Sequence, residues 1–155
     1  TFRVNDVAEG ATGTYYLRIY RGAATSTPYT LKVKAAGETE KNTWQRASNL
    51  GTLRSRAVAR TSRIGELDVN DWFKFTTRGT RALTLALTGL TADLDLSLFN
   101  AAGTLIEAAA ADGAADDVIT GTLTAGVYYA RVCVPGLTSL DATLNYTLRM
   151  IAPLA

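Results

Sequence analysis

An alternation of period two constrains this chain more than anything else in it. Leu83, Leu85 and Leu87 fall on every second residue, as do Leu94, Leu96 and Leu98, and again Tyr128, Ala130, Val132 and Val134. Successive side chains of a strand point to opposite faces, so each run is apolar on one side and polar on the other. A sheet with one apolar face must bury it against another layer. Turn signals cut the runs to strand length: Arg78-Gly79, Asn100 to Gly103, Asp112-Gly113, Ala125-Gly126 and Pro135-Gly136. The spacing predicts strands near Gly51–Arg56, Arg63–Leu67, Trp72–Thr76, Ala82–Leu87, Leu94–Phe99, Leu105–Ala108, Asp117–Leu123, Val127–Val134 and Leu144–Ile151. An all-β fold is expected, an antiparallel β-sandwich or jelly roll. The alanine-rich stretch Ala101–Ala115 is ambiguous. It suits a short helix, although Gly103 and Gly113 bound it too closely for a long one.

Composition narrows the chemistry. The chain has 155 residues, enough for one domain with a real core or one domain plus a fragment. A net charge of +2 offers no basic stripe for nucleic acid, and no apolar run is long enough to span a bilayer as a helix. There is no histidine, which removes Ser-His-Asp and Cys-His catalysis and imidazole-based zinc sites. The single cysteine, Cys133, cannot form an internal disulfide.

The run Gly65-Glu-Leu-Asp-Val-Asn-Asp-Trp-Phe-Lys-Phe75 joins a polar turn to a core strand. Asp68 and Asp71 flank Asn70, and then Phe73 and Phe75 alternate with Trp72 and Lys74. Two carboxylates that close repel unless a cation or a donor sits between them. Upstream, Glu38, Glu40 and Asn42 stand at i, i+2 and i+4, so in an extended segment they point the same way. Taken alone, that segment reads equally as a solvated charged linker.

The chain also repeats itself. Gly13-Thr-Tyr-Tyr-Leu-Arg-Ile19 recurs as Gly126-Val-Tyr-Tyr-Ala-Arg-Val132, and Tyr29-Thr-Leu-Lys32 as Tyr146-Thr-Leu-Arg149. Residues 1–35 are therefore expected to be the C-terminal strands of a similar tandem domain. Residues 36–50 form a linker, and residues 51–155 a complete β-sandwich.

The order of motifs resembles the bacterial pre-peptidase C-terminal domain, the family that includes the collagen-binding modules of secreted collagenases. The motifs are Glu38-x-Glu40-x-Asn42, Ala47-x-x-Leu50-Gly51, Gly65-x-x-Asp68-x-x-Asp71-Trp-Phe-x-Phe75, Ala92-Asp-Leu-Asp-Leu-Ser-Leu98, Gly103, Leu123-x-Ala-Gly-x-Tyr-Tyr129 and Tyr146-Thr-Leu148. The resemblance implies a jelly-roll sandwich at the tail of secreted or cell-surface bacterial proteins, without catalysis of its own. It implies calcium, with linker ligands at Glu38, Glu40 and Asn42 and turn carboxylates at Asp68 and Asp71. Thr43 stands where calcium-rich members often place another acid, which favours one ion over two. Calcium takes about 6–8 oxygen ligands in flexible geometry, and four carboxylates with one amide oxygen suit it. Zinc and copper do not suit a site without imidazole or thiolate.

Other residues have plainer readings. Asp93 and Asp95 read as turn and cross-strand hydrogen bonding, and Asp112, Asp116 and Asp117 as loop solvation. Tyr129 and Arg131 share a strand face, as do Trp72 and Lys74. Aromatics beside cations suit docking to an extracellular polymer, collagen-like or polysaccharide, and equally suit cover by a neighbouring domain. The expected role is a calcium-stabilised accessory module for attachment or domain spacing. The alternative is a repeat subunit whose incomplete first copy, Thr1 to Ala35, completes a sheet in a neighbouring copy of the same domain, building an array or filament. A hydrolase finds no support, because no nucleophile motif is present.

Overall fold

The computed structural model describes residues 43–66, 69–136 and 140–155, all within one unit of the chain, Thr39–Ala155. A single turn of 3-10 helix, Trp44–Arg46, precedes nine strands: β1 Ser48–Thr52, β2 Val58–Glu66, β3 Asn70–Thr77, β4 Arg81–Thr88, β5 Asp95–Asn100, β6 Leu105–Ala109, β7 Asp117–Leu123, β8 Gly126–Cys133 and β9 Leu140–Ile151. They form two sheets, the first in the order β1-β3-β8-β5-β6 and the second in the order β2-β9-β4-β7. The expected strands of the first repeat, at residues 1–35, and the acidic linker lie outside the described residues.

The alternation builds the core as expected. In β3 and β4 every second residue is buried. Phe73, Phe75, Leu96 and Leu98 from the first sheet meet Leu83, Leu85, Leu87, Tyr146, Leu148 and Met150 from the second. Each such side chain is worth about 1.5–3 kcal/mol when withdrawn from water, so this layer dominates stability.

Among the described residues every strand pairing except one is antiparallel; β1 runs parallel to β3. The chain leaves β1, crosses to the second sheet as β2, and returns to the first as β3. That crossover permits the parallel pair. β1 also starts earlier than expected and straddles the linker boundary drawn at Leu50 and Gly51. The reason is Gly51. It holds a φ of 75°, its N–H is capped by Asn49 Oδ1 at 2.9 Å, and the ladder shifts register between Asn49 and Thr52. The glycine read as a strand start is thus a bulge inside one.

No α-helix forms over 101–115. Asn100 closes a tight turn, its Oδ1 accepting the N–H groups of Ala102 at 2.9 Å and Thr104 at 3.0 Å, and β6 follows. The Leu-x-Ala-Gly-x-Tyr motif also has a physical basis. Tyr128 stacks on Phe75 with ring centroids 5.8 Å apart, and its hydroxyl donates back to the Thr124 carbonyl at 3.1 Å. A Cβ at Gly126 would lie 3.4 Å from the Tyr128 ring, in ordinary van der Waals contact, so the ring packs directly over this backbone.

Asp117, read from sequence as loop solvation, is only 1% exposed. Its two oxygens accept the N–H of Leu96 at 3.1 Å and of Ala111 at 2.8 Å, which ties β5 to the β6–β7 connection. Sequence spacing gave no hint, because both partners are backbone. Asp117→Ala leaves two N–H groups without an acceptor and is expected to cost about 3 kcal/mol in denaturant unfolding. Asp117→Asn keeps only one acceptor oxygen and loses part of that. Nearby, burial first and then the charges of Asp93 and Asp117 push the Asp95 carboxyl above its ordinary value, against the pull of Arg131. A carboxyl with a raised folded pKa holds its proton more tightly when folded, so its contribution to stability falls as pH rises from its unfolded value through the folded one. Asp95→Asn is therefore expected to gain on the wild type with rising pH above about 4 in thermal melts, and equal losses at every pH would refute this.

Candidate functional site

Two clusters on β3 are candidates, one on each face of the strand. The inward one is centred on Asp71. Strand alternation turns Asp71, Phe73 and Phe75 to the interior, and Asp71 is 1% exposed. Ser62 and Tyr146 are direct cross-strand partners in the second sheet. The Ser62 hydroxyl donates to Asp71 Oδ2 at 2.9 Å, and the Tyr146 hydroxyl donates a short hydrogen bond to the same oxygen. One carboxylate of the first sheet is thus gripped by two hydroxyls of the second. Burying a polar group costs free energy unless it is hydrogen-bonded, and these two donors offset that cost for the Asp71 carboxyl group.

The sequence places Asp71 in a polar turn; the structure places it one step further, inside the sandwich at the start of β3. Asp68, Glu38, Glu40 and Asn42, the other expected ligands, lie outside the described residues. No cluster of three or more acidic, cysteine or histidine side chains gathers at metal-binding distance among the described residues. Ser62 and the Tyr146 hydroxyl were not foreseen as partners of Asp71. A signal existed for the tyrosine, since its place between Leu144 and Leu148 on an apolar strand face obliges its hydroxyl to find an acceptor.

The outward cluster lies on the far face of the first sheet. Register sets Trp72 opposite Arg131, Lys74 opposite Tyr129, and Phe99 and Ser97 of β5 opposite Tyr129 and Arg131. The Arg131 guanidinium sits 5.8 Å from the Trp72 ring centre and 5.6 Å from that of Phe99. Trp72 and Phe99 are themselves 5.0 Å apart, and Trp44 meets Tyr129 edge-on at 5.5 Å. The expected aromatic and cationic residues do converge, joined by Phe99 and Trp44, which sequence alone did not connect to them. The guanidinium lies within the usual range for attraction to a ring face. Cys133 is buried beside this cluster. Burial pushes its thiol up, against the lowering influence of Arg131, so it is a poor nucleophile.

Two of the solved structures that resemble this fold illustrate it. One is the pre-peptidase C-terminal domain of a collagenase from Bacillus anthracis, with 13% identity, a TM-score of 0.51, and coverage of 68% of this chain and 93% of that one. The other is PliG from Aeromonas hydrophila, a periplasmic inhibitor of g-type lysozyme, with 11% identity, a TM-score of 0.51, and coverage of 68% and 99%. At such identities the likeness concerns fold alone. No curated protein matches the chain significantly. Within the sequence, residues 69–132, from just before β3 into β8, match the family model of the bacterial pre-peptidase C-terminal domain, in agreement with the first of these folds.

Proposed function

We propose that this sandwich is a non-catalytic accessory module of a secreted or cell-surface bacterial protein, stabilised by calcium and used for attachment or domain spacing. The match to the pre-peptidase C-terminal domain supports the accessory role, and an extracellular or envelope setting agrees with the sources of the two similar structures. Asp71 is the observation that carries the calcium reading. A buried carboxylate, oriented by the Ser62 and Tyr146 hydroxyls three residues after Asp68, offers the hard oxygen donors that calcium takes. With Asp71, the side chains of Asp68, Glu38, Glu40 and Asn42 would hold one ion. Its positive charge would fasten the linker of residues 36–50 to the sandwich. The aromatic and cationic face around Trp72, Phe99 and Arg131 would then meet the polymer, collagen-like or polysaccharide.

Calcium binding to the folded state alone stabilises it by about 2.7 kcal/mol at a hundredfold excess over Kd. For a domain of this size that raises the melting temperature by roughly 10 °C. A chelator should reverse the shift, and the pair Glu40→Gln with Asp68→Asn should abolish it. Melting that ignores both calcium and chelator would falsify the calcium reading. Attachment is checked separately, by retention of the protein on immobilised collagen-like peptide or polysaccharide. Trp72→Ala is expected to lose retention without losing the fold; unchanged retention would remove the face from the account.

A further inference from the structure

The two open sides of the sandwich differ in charge. Strand order puts the edge strands β1 and β2 together on one side, and β6 and β7 on the other. Between β1 and β2 runs a groove of about 400 Å³. Its wall carries the aliphatic side chains of Leu50 and Val58, both partly buried against the core, and its rim carries exposed Arg54, Arg56 and Arg60. Among the described residues, none that lines it is acidic. The opposite side is the reverse. β6 exposes Leu105 at 54% and Ile106 at 43%, and Val118 of β7 is 51% exposed. Its exposed charges are acidic: Glu107 on β6, with Asp112 and Asp116 in the connection that follows.

Exposed edge strands invite pairing, and proteins usually guard them with charge. Arginines guard the β1–β2 side against another basic edge, but they attract an acidic one. The β6 side has exposed aliphatic residues where the groove has an aliphatic wall, and carboxylates where the groove has guanidiniums. Arginine forks suit carboxylates particularly well. We propose that the β1–β2 groove receives the β6 edge of a second copy of this chain, with Glu107 against Arg54, Arg56 and Arg60, and Leu105 and Ile106 against Leu50 and Val58. The two surfaces differ, so the contact is head-to-tail and leaves a free groove and a free edge at the ends. It requires neither calcium nor the aromatic face and so stands apart from the attachment reading.

Sedimentation of the full chain across concentrations, with a reductant present, tests this. Association is expected at about 50 mM salt and should weaken at about 0.5 M, where charges are screened beyond about 3–4 Å. The variants R54E/R56E and E107K each juxtapose like charges and should associate at least about tenfold more weakly than wild type. Mixed together, they restore opposite charges at both contacts and should associate again. All substituted side chains are exposed, and melting curves check that the variants fold. A monomer at every concentration in low salt would overturn the proposal, and so would association that R54E/R56E leaves unchanged.

Discussion

One carboxylate sets the terms for this sandwich. Apolar layers hold two sheets together without specifying how they sit, because burial is non-directional. Asp71 adds direction. It lies on the inward face of β3 and takes hydrogen bonds from Ser62 of β2 and Tyr146 of β9, so three strands must meet in one geometry for it to be satisfied. A misregistered β3 would turn Asp71 outward and Trp72 inward, because a slip of one residue exchanges the two faces. The aromatic cluster outside and the carboxylate inside are therefore fixed by the same register.

Much of this was legible in the residues, for a physical reason. Period-two patterning reports which face is buried, so Leu83, Leu85, Leu87, Leu94, Leu96 and Leu98 declared the core directly. Glycine and asparagine declared turns such as Asn100 to Gly103, where a positive φ is needed. Patterning cannot report which strand lies beside which. The parallel seat of β1 beside β3 escaped notice, since a pairing partner leaves no trace in a strand's own sequence. The role of Asp117 was missed because its partners are backbone amides that every residue carries. Asp71 was singled out but set in a turn, because Asn70 and Asp71 look polar and only the ladder shows that β3 has already begun.

The two faces of β3 divide the work of the fold. Inward residues make the core and the inter-sheet bridge; outward residues gather Trp72 and Lys74 beside Arg131, Phe99 and Tyr129. The outer residues of β3 can thus change without disturbing the inner ones, which suits a scaffold whose surface carries the function. The sandwich edges add a further degree of freedom, because their charges are independent of both faces.

The parallel seat of β1 also determines how the domain answers a pull. Tension applied through the segment before Ser48 enters β1 and must cross to β3 along its length, in the direction of the strands. From β3 it passes through the core and the Asp71–Tyr146 bond to β9, the penultimate strand of the second sheet and the last of the chain, flanked there by β2 and β4. Such a path loads hydrogen bonds side by side instead of opening them one at a time. A domain threaded this way behaves as a stiff link between whatever precedes β1 and whatever follows β9.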